Sequence, residues 1–360
     1  MGRINVTKAF LPPVEEYEAY VRQIWQSEQL TNQGPLLKEF ERQAESYLGL
    51  SNLQFVSNGT IALQISLHAL GITDGEIITT PFSYVATTSS ILWERCKPVF
   101  VDIEPDTFCI DSQKIEAAIT DRTRAIMPVH VFGVPCDVEG IEKIAKKYSL
   151  KVIYDAAHAF GVEYKGKSLL SYGDISTCSF HATKLFHTIE GGAVVTPHLE
   201  VAKRVELIKR FGHDGDDHLM LGINAKSNEF QAAMGLVNLK YVDSNIEKRK
   251  KIADIYDGLL SRGIHKPKRM PNIKQNYAYY PIVLSSEDHL FNVIKTLAKE
   301  SVYPRRYFYP SLNKLSYIVD EQSCPISEEI SKKILCLPLY ADLDPQDARK
   351  IALLVNSCDA

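Results

Sequence analysis

Residues 151–158 carry the sequence Lys-Val-Ile-Tyr-Asp-Ala-Ala-His, in which a short apolar run ends in a carboxylate and is followed by a histidine. A run without regular polar alternation is typical of a strand that is covered on both faces of a parallel sheet. Six further runs predict strands, at Leu53–Ser57, Glu76–Thr80, Pro98–Asp102, Arg124–Val131, Ile175–Ser179 and Ala193–Thr196. With residues 151–155 they predict one buried, mainly parallel sheet.

Helical periodicity lies between these strands. The clearest helical segments are Thr60–Leu70, Asp111–Ile119 and Val138–Lys147. Alternation of strands and helices is the pattern of an α/β protein with right-handed crossovers, so we predict a large domain over residues 1–245. After Asn228 the pattern predicts a long helix to about Leu260, followed by a proline-containing loop. We expect a smaller α+β domain over residues 246–360.

Composition and charge exclude several classes of protein. The 360 residues are 45% apolar and 24% charged, which allows two domains with a large core, and the formal charge of −3 predicts no nucleic-acid partner. No apolar stretch approaches the roughly 20 residues that span a bilayer, and the N-terminus lacks a signal-peptide core, so we expect a cytoplasmic protein without a membrane partner. Seven scattered cysteines without a Cys-x-x-Cys pair predict free thiols and no metal site.

In an open α/β sheet, ligands bind beyond the carboxyl ends of the strands, so polar residues at those ends are candidates for function. Gly59 and Thr60 follow a predicted strand and open a predicted helix, where unpaired amides attract an anion. Taken alone, this motif favours the alternative of an ordinary helix N-cap. Tyr84 follows another strand end, where an aromatic ring either stacks on a flat ligand or packs in the core.

Two further strand ends carry ionisable groups. Asp155 ends the strand quoted above, and a buried carboxylate there needs a partner, for which a protonated pyridine nitrogen and a helix N-cap are both candidates. Ser179 ends the next strand, and Lys184 lies five residues beyond it. A lone lysine is usually a surface charge. Burial or a nearby cation would lower the pKa of its amine and make it a nucleophile suited to imine chemistry.

These strand-end motifs, in this order, resemble the fold type I pyridoxal phosphate-dependent sugar aminotransferases of the DegT type. The resemblance extends over essentially the whole chain. It is carried by Thr31–Pro35, Glu39–Glu41, Asn58–Leu63, Thr80–Phe82, Val101–Ile103, His130 with Gly133, Asp155–Ala159, Ser179–Lys184, Glu190–Gly192 and Gly222–Asn224. Each motif is weak alone, and the ordered set is specific. It implies a large domain with a mainly parallel sheet flanked by helices, and a smaller C-terminal α+β domain.

The resemblance implies three roles in catalysis. Lys184 would hold pyridoxal 5′-phosphate as a Schiff base and would move protons between substrate and cofactor. Asp155 would pair with the nitrogen of the pyridinium ring. His158 would lie near the ring, at a position where many members of the family carry glutamine, so that its contact is less defined than those of the other two.

The resemblance also implies residues that bind the cofactor. Tyr84 would stack on the face of the ring, and the phosphate would be bound by Gly59, Thr60 and Ser179. Asn224 matches an asparagine that, in this family, comes from the neighbouring subunit and completes the phosphate site, which implies a homodimer with a shared active site. The family motif usually continues to an arginine, whereas this chain has Lys226, so an arginine contact is not carried over.

The substrates implied are L-glutamate as amino donor and a nucleotide-linked keto sugar as acceptor. The basic, aromatic segment Tyr303–Pro310 resembles the part of the family that reaches the sugar nucleotide, with Arg305 and Tyr309 as candidate substrate-binding residues. Arginine binds diphosphate by paired hydrogen bonds, and a loop packed on its own domain is an equal alternative.

This segment and residues 155–160 most resemble enzymes that act on dTDP-linked keto-6-deoxyglucose. They imply amination at the 4-position, to give dTDP-4-amino-4,6-dideoxyglucose for lipopolysaccharide O-antigen or another surface polysaccharide. A 3-aminotransferase that acts on a dTDP-3-keto-6-deoxyhexose remains the alternative. A dehydratase on the same scaffold would have histidine in place of Lys184, and a non-catalytic regulatory or binding relative is the remaining alternative.

Overall fold

The structure, a computed structural model, describes residues 2–320 and 322–358. The helices are α1 (Val14–Ser27), α2 (Pro35–Leu48), α3 (Gly59–Ala69), α4 (Ala86–Trp93), α5 (Ser112–Ile115), α6 (Val138–Tyr148), α7 (Leu199–Ile208), α8 (Glu229–Leu239), α9 (Val242–Leu259), α10 (Glu287–Lys299), α11 (Pro325–Lys333) and α12 (Pro345–Asn356). The strands are β1 (Ile4–Asn5), β2 (Leu53–Val56), β3 (Glu76–Thr79), β4 (Lys97–Phe100), β5 (Thr123–Met127), β6 (Lys151–Asp155), β7 (Glu163–Tyr164), β8 (Lys167–Ser168), β9 (Ile175–Ser179), β10 (Gly192–Val195), β11 (His213–Asp214), β12 (Asp217–His218), β13 (Ile273–Lys274), β14 (Tyr280–Val283), β15 (Val302–Tyr303) and β16 (Ile334–Leu337).

The seven predicted strands form a single sheet in the order β2-β10-β9-β6-β5-β3-β4. Every pair that does not involve β10 is parallel, and β10 is antiparallel to both of its neighbours. The predicted mainly parallel α/β sheet is therefore confirmed. The strand predicted at 124–131 was too long, because β5 ends at Met127. Pro128 follows it, and proline has no N–H to continue the ladder.

Helices cover both faces of this sheet. Alternate strand residues such as Ile77 and Ile153 pack with Leu63 of α3 in one buried cluster. On the opposite face, Phe40 of α2 packs edge-on against Phe55 of β2, with their ring centroids 4.8 Å apart. Because both faces are buried, the strands are rich in apolar residues without regular polar alternation, which is why their positions could be predicted from the sequence.

The C-terminal part of the chain forms an α+β unit around a core of its own. The antiparallel pair β14 and β16 packs with α9, α10 and α12 in one buried cluster. The single helix predicted from Asn228 to Leu260 was wrong, because α8 ends at Leu239 and α9 begins at Val242. Asn238 donates its side-chain amide to the His187 carbonyl at 2.9 Å, which ties the end of α8 to the connection between β9 and β10. The division at residue 245 falls within α9 and stays a prediction.

Two further features concern membranes and metals. No helix in the part of the chain that the structure describes is long and apolar enough to cross a bilayer. Within the same residues, no three histidine, cysteine or acidic side chains come together as a metal-binding group. All seven cysteines are buried and free.

Candidate active site

The carboxyl ends of β2, β6 and β9 meet at one edge of the sheet and line a cavity of about 260 Å³. They meet there because these three strands run in the same direction. Eight of the ten predicted site residues line this cavity, namely Gly59, Thr60, Tyr84, Asp155, His158, Ser179, Lys184 and Arg305. The other two, Asn224 and Tyr309, do not line the cavity of their own chain.

Asp155 lies at the floor of the cavity and is only 6% exposed. Its Oδ2 accepts a hydrogen bond from the Thr87 hydroxyl at 2.7 Å, and its Oδ1 accepts one from the Ala157 amide at 3.1 Å. Burial raises the pKa of Asp155, and the two hydrogen bonds and the charge of Lys184 oppose this rise. Because β6 leads through turns into β7 and not directly into a helix, the N-cap alternative for Asp155 is wrong.

Thr87 links Asp155 to a second hydroxyl. The Thr87 and Ser83 oxygens are 2.8 Å apart, and both side chains are buried. These hydrogen bonds come from neutral groups. Within residues 2–320 and 322–358, Asp155 makes no salt bridge to a basic side chain. A buried carboxylate of this kind is suited to hold a positively charged N–H group that enters the cavity.

Lys184 comes from residues 180–191, which connect β9 to β10. Its Nζ is 6.0 Å from the ring centroid of Tyr279. Burial lowers the pKa of the Lys184 amine, and the negative charge of Asp155 opposes this effect. A larger fraction of the amine is therefore neutral at a given pH than for an exposed lysine, and the neutral amine is the nucleophilic form.

The start of α3 forms an anion-binding corner beside Ser179. The N-cap is Asn58, whose side chain accepts from the Ile61 amide at 2.9 Å. The amides of Gly59 and Thr60 belong to the first turn, which has no acceptors within the helix. A Cβ atom at Gly59 would lie 2.9 Å from the Ser179 Cβ, so only glycine allows this close approach. The corner thus combines amide donors, two hydroxyl groups and the positive end of a helix, which suits a phosphate.

His158 forms part of an aromatic wall. Its Nδ1 accepts a hydrogen bond from the Phe132 amide at 3.2 Å, so the proton of the neutral ring is assigned to Nε2. Burial and the nearby charge of Lys184 lower the pKa of His158 well below its ordinary value. The ring centroid of Tyr279 lies 4.7 Å from that of His158. The ring of Phe308 is parallel to that of His158, with the two centroids 5.9 Å apart. The wall shields this side of the cavity from water.

The four remaining predicted site residues lie at the rim of the cavity or outside it. Tyr84 is 55% exposed at the rim of the cavity, and Arg305 is exposed with its guanidinium carbon 4.8 Å from the Tyr307 ring. Tyr309 instead packs on Arg306, whose guanidinium carbon lies 3.6 Å from its ring centroid. Asn224 is exposed on the segment that follows β12. The roles of these residues stay predictions.

Several residues of the cavity could not be predicted from the sequence. Ser83 precedes α4 and Thr87 lies in its first turn, and their spacing of four residues is the one signal that could have suggested that their hydroxyls meet. Tyr279, Tyr307 and Phe308 come from the C-terminal unit and reach the cavity only through tertiary packing. No local pattern in the sequence identifies them.

The sequence matches a known family of enzymes along nearly its whole length. The model of the DegT/DnrJ/EryC1/StrS aminotransferase family matches residues 13–356. The chain belongs to this family. A family member from Shigella dysenteriae, named dTDP-4-amino-4,6-dideoxy-D-glucose transaminase, is 43% identical over 351 residues, which cover 94% of this chain and 95% of the relative.

Solved structures of aminotransferases share the same fold. DesI in the presence of its TDP-sugar product has a TM-score of 0.93 and 31% identity, and the match covers 99% of this chain and 93% of that one. The pyridoxal phosphate form of Spr1654 from Streptococcus pneumoniae has a TM-score of 0.92 and 26% identity, with 99% and 98% covered. The predicted fold type I architecture is confirmed, and the chain is a pyridoxal phosphate-dependent aminotransferase.

The residues of the cavity fit this cofactor. A buried carboxylate short of a cationic partner, a lysine with a lowered pKa and an anion-binding corner that a Cβ at Gly59 would fill lie around one space. These three groups match the ring nitrogen, the aldehyde and the phosphate of pyridoxal phosphate.

Proposed function

We propose that this aminotransferase transfers the amino group of L-glutamate to dTDP-4-keto-6-deoxyglucose, giving dTDP-4-amino-4,6-dideoxyglucose for a surface polysaccharide. The convergence of Asp155, Lys184 and the corner at Gly59 and Ser179 on one cavity carries the transamination. The relative from Shigella dysenteriae, whose name states the 4-amino product, supports the choice of sugar.

The side chains of the cavity have distinct tasks in this reaction. When bound, pyridoxal phosphate supplies an electron-withdrawing ring that stabilises negative charge on the substrate carbon next to nitrogen. Asp155 holds a proton on the ring nitrogen by charge and hydrogen bonding. The Lys184 Nζ would take a proton from the carbon of the amino donor and pass it to the cofactor, and in the second half it would move a proton from the cofactor to the carbon of the sugar, for which its lowered pKa is suited.

The other residues of the cavity orient the cofactor and shield it from water. The amides and hydroxyls of Gly59, Thr60 and Ser179 bind the phosphate, which fixes the ring in the cavity. The neutral His158 presents its Nε2 proton as a hydrogen-bond donor near the ring. Tyr84 covers the open face of the cavity.

Arg305 is the residue that we assign to the sugar nucleotide. It is the one arginine among the described residues that line the cavity, and it is exposed at the side of the C-terminal unit. A guanidinium in this position suits the diphosphate of a nucleotide sugar. Tyr309, packed on Arg306 just outside the cavity, would contact the substrate only beyond the diphosphate.

A homodimer with a shared active site is part of the same proposal. The segment that carries Asn224 exposes apolar side chains, with Leu221 at 80% and Leu219 at 59% exposed. Exposed apolar residues grouped on one segment favour burial against another chain. In that dimer, Asn224 of the partner subunit would complete the phosphate corner.

The substrate is tested by incubating the enzyme with L-glutamate and either dTDP-4-keto-6-deoxyglucose or its 3-keto isomer, and by locating the new amine by NMR. We expect amination at C4. An amine at C3 would favour the 3-aminotransferase alternative, and no amine from either sugar would refute the proposal. Alanine as donor in a parallel reaction tests the choice of glutamate.

The role of Lys184 is tested by borohydride reduction of the holoenzyme. Reduction should fix the cofactor covalently in the wild type and fail to do so in Lys184→Ala. A cofactor fixed equally in Lys184→Ala would contradict the assignment.

The shared site is tested by mixing two inactive variants, Lys184→Ala and Asn224→Ala. If each site takes Lys184 from one chain and Asn224 from the other, random exchange should restore about one quarter of the sites. A mixture that stays inactive after exchange would contradict a shared site.

A further inference from the structure

A second, larger cavity lies on the other side of Tyr279 from the active site. Its volume is about 670 Å³, within the range typical of sites for small organic ligands. It is bounded by the last turns of α9, by residues 262–269 and by residues 275–281, with Phe132–Val134 as its inner wall. None of the proposed catalytic residues lines it. We call it the basic cavity, after Arg262, Lys266 and Arg269.

The basic cavity has a surplus of positive charge. Asp257 is the one carboxylate among its described lining residues, against three cationic side chains. The Asp257 Oδ1 accepts from Lys266 and from the Tyr280 hydroxyl, each at 2.8 Å, and its Oδ2 accepts from Arg269. This carboxylate neutralises one of the three positive charges.

Hydrogen-bond donors also exceed acceptors in the basic cavity. The Arg269 guanidinium has further N–H groups beyond the one given to Asp257, and Arg262 adds five more. Arginine forks match the oxygens of a phosphate. The excess of donors and of positive charge therefore selects an anion that carries several acceptor oxygens.

Aromatic rings form much of the remaining lining. Tyr277, Tyr279 and Tyr280 come from the segment that leads into and includes the start of β14, and Phe132 lies on the opposite wall. Aromatic faces next to a phosphate-binding group are the combination that binds a nucleoside phosphate, because the flat base stacks or packs on the rings.

Tyr279 also lines the active site, so the two cavities share a wall. The centroid of its ring lies 4.7 Å from the centroid of the His158 ring and 6.0 Å from the Lys184 Nζ. Phe132, on the inner wall of the basic cavity, donates its amide to the His158 Nδ1. A ligand that moves Tyr279 would therefore change the surroundings of His158 and Lys184. A ligand that moves Phe132 would change the hydrogen bond to His158.

We propose that the basic cavity is a second site for a nucleoside diphosphate, separate from the substrate site, and that its occupation alters the active site through Tyr279. The diphosphate binds Arg262 and Arg269, and the base packs against the tyrosine-rich wall. The enzyme would thereby respond to the level of the nucleotide portion of its own class of substrate.

The test is a calorimetric titration of the holoenzyme with dTDP, compared with the double variant Arg262→Ala/Arg269→Ala. Lys248→Ala/Lys251→Ala serves as the matched control, because it removes the same charge from the exposed face of α9, outside the cavity. We expect two dTDP molecules per chain in the wild type and the control. In the double variant, one of the two should bind roughly tenfold more weakly or not at all.

A single class of sites in the wild type that is unchanged in the double variant would overturn the proposal, as would an equal loss in the control. If the proposed function is wrong, the active-site class is missing from all three proteins, and the second class still separates the double variant from the control. Inorganic pyrophosphate should bind the basic cavity roughly tenfold more weakly than dTDP, and equal binding would overturn the role of the base.

Coupling to the active site is followed in a parallel spectrophotometric titration of the holoenzyme with dTDP, through the visible absorbance of the bound cofactor. The absorbance should change as the second site fills in the wild type, and this phase should be missing in the double variant. Binding at the second site without any change in absorbance would overturn the role of Tyr279.

Discussion

Thr87→Val removes the hydroxyl that donates to Asp155 while nearly keeping the shape of the side chain. The hydroxyl is fully buried, and its oxygen lies 2.7 Å from the Asp155 Oδ2, so that no bulk water can replace it. A hydrogen bond to a charged group contributes about 1.5–3 kcal/mol, and we expect the free energy of unfolding of the cofactor-free protein to fall by that amount at pH 8. Thr87→Ser, which keeps the hydroxyl, should lose less than about 1.5 kcal/mol.

The pH dependence of this loss identifies its cause. Burial raises the pKa of Asp155, so the folded protein binds this proton more tightly than the unfolded chain does. Stability from this group is therefore present at low pH and is lost as the pH rises through the folded pKa. The hydroxyl of Thr87 supports the ionised form, so the difference between Thr87→Val and the wild type should be complete above the folded pKa and shrink as the pH falls through it.

The measurement is urea unfolding followed by circular dichroism, at one protein concentration and at several pH values between 8 and the onset of acid unfolding. The reasoning fails if Thr87→Val is as stable as the wild type at pH 8. It also fails if Thr87→Ser loses as much as Thr87→Val, because the loss would then come from packing and not from the hydrogen bond.

Three further changes test the core, the C-terminal unit and the phosphate corner. Phe40→Ala should lower the free energy of unfolding by about 3–5 kcal/mol, because this fully buried ring packs on Phe55. A free energy of unfolding, measured with urea, that stays within about 1 kcal/mol of the wild-type value would contradict this. Arg249→Met should lower it by about 1–3 kcal/mol, because the buried guanidinium donates to the carbonyls of Ala278 and Leu339, and a Met variant of unchanged stability would show that these bonds contribute nothing. Thr60→Ala should weaken cofactor binding by roughly tenfold in equilibrium dialysis while borohydride still fixes the bound cofactor, and unchanged affinity would exclude a phosphate contact.

The fold could be predicted because its strands are buried on both faces. β6 and β9 are buried along almost their whole length, and their predicted bounds agree with those observed. The candidate site followed from the same property, since polar residues that directly follow such strands must meet at one edge of the sheet. Asp155, Ser179 and Lys184 could therefore be placed together without knowledge of their distances.

The remaining features depend on contacts that no local pattern contains. The turn between α8 and α9 was missed, because helical periodicity continues through it while the Asn238 amide bonds to His187. Tyr279 and Phe308 reach the active site from more than a hundred residues beyond Asp155 along the chain. The hydroxyl of Thr87 meets Asp155 only because α4 follows the end of β3, and the direction of that helix is set by tertiary packing.

The connection that carries Lys184 is held at both ends by the pairing of Ser179 with Gly192 in adjacent strands. A residue gained or lost between them would move the amine by up to about 3.8 Å, the spacing of successive Cα atoms, without altering the pairing of either strand. Reactivity and fold can therefore diverge through small changes in the length of this connection. A descendant of this chain could keep its architecture and its anion-binding corner while losing the chemistry, which makes the length of residues 180–191 a more informative mark of an active enzyme than the sheet itself.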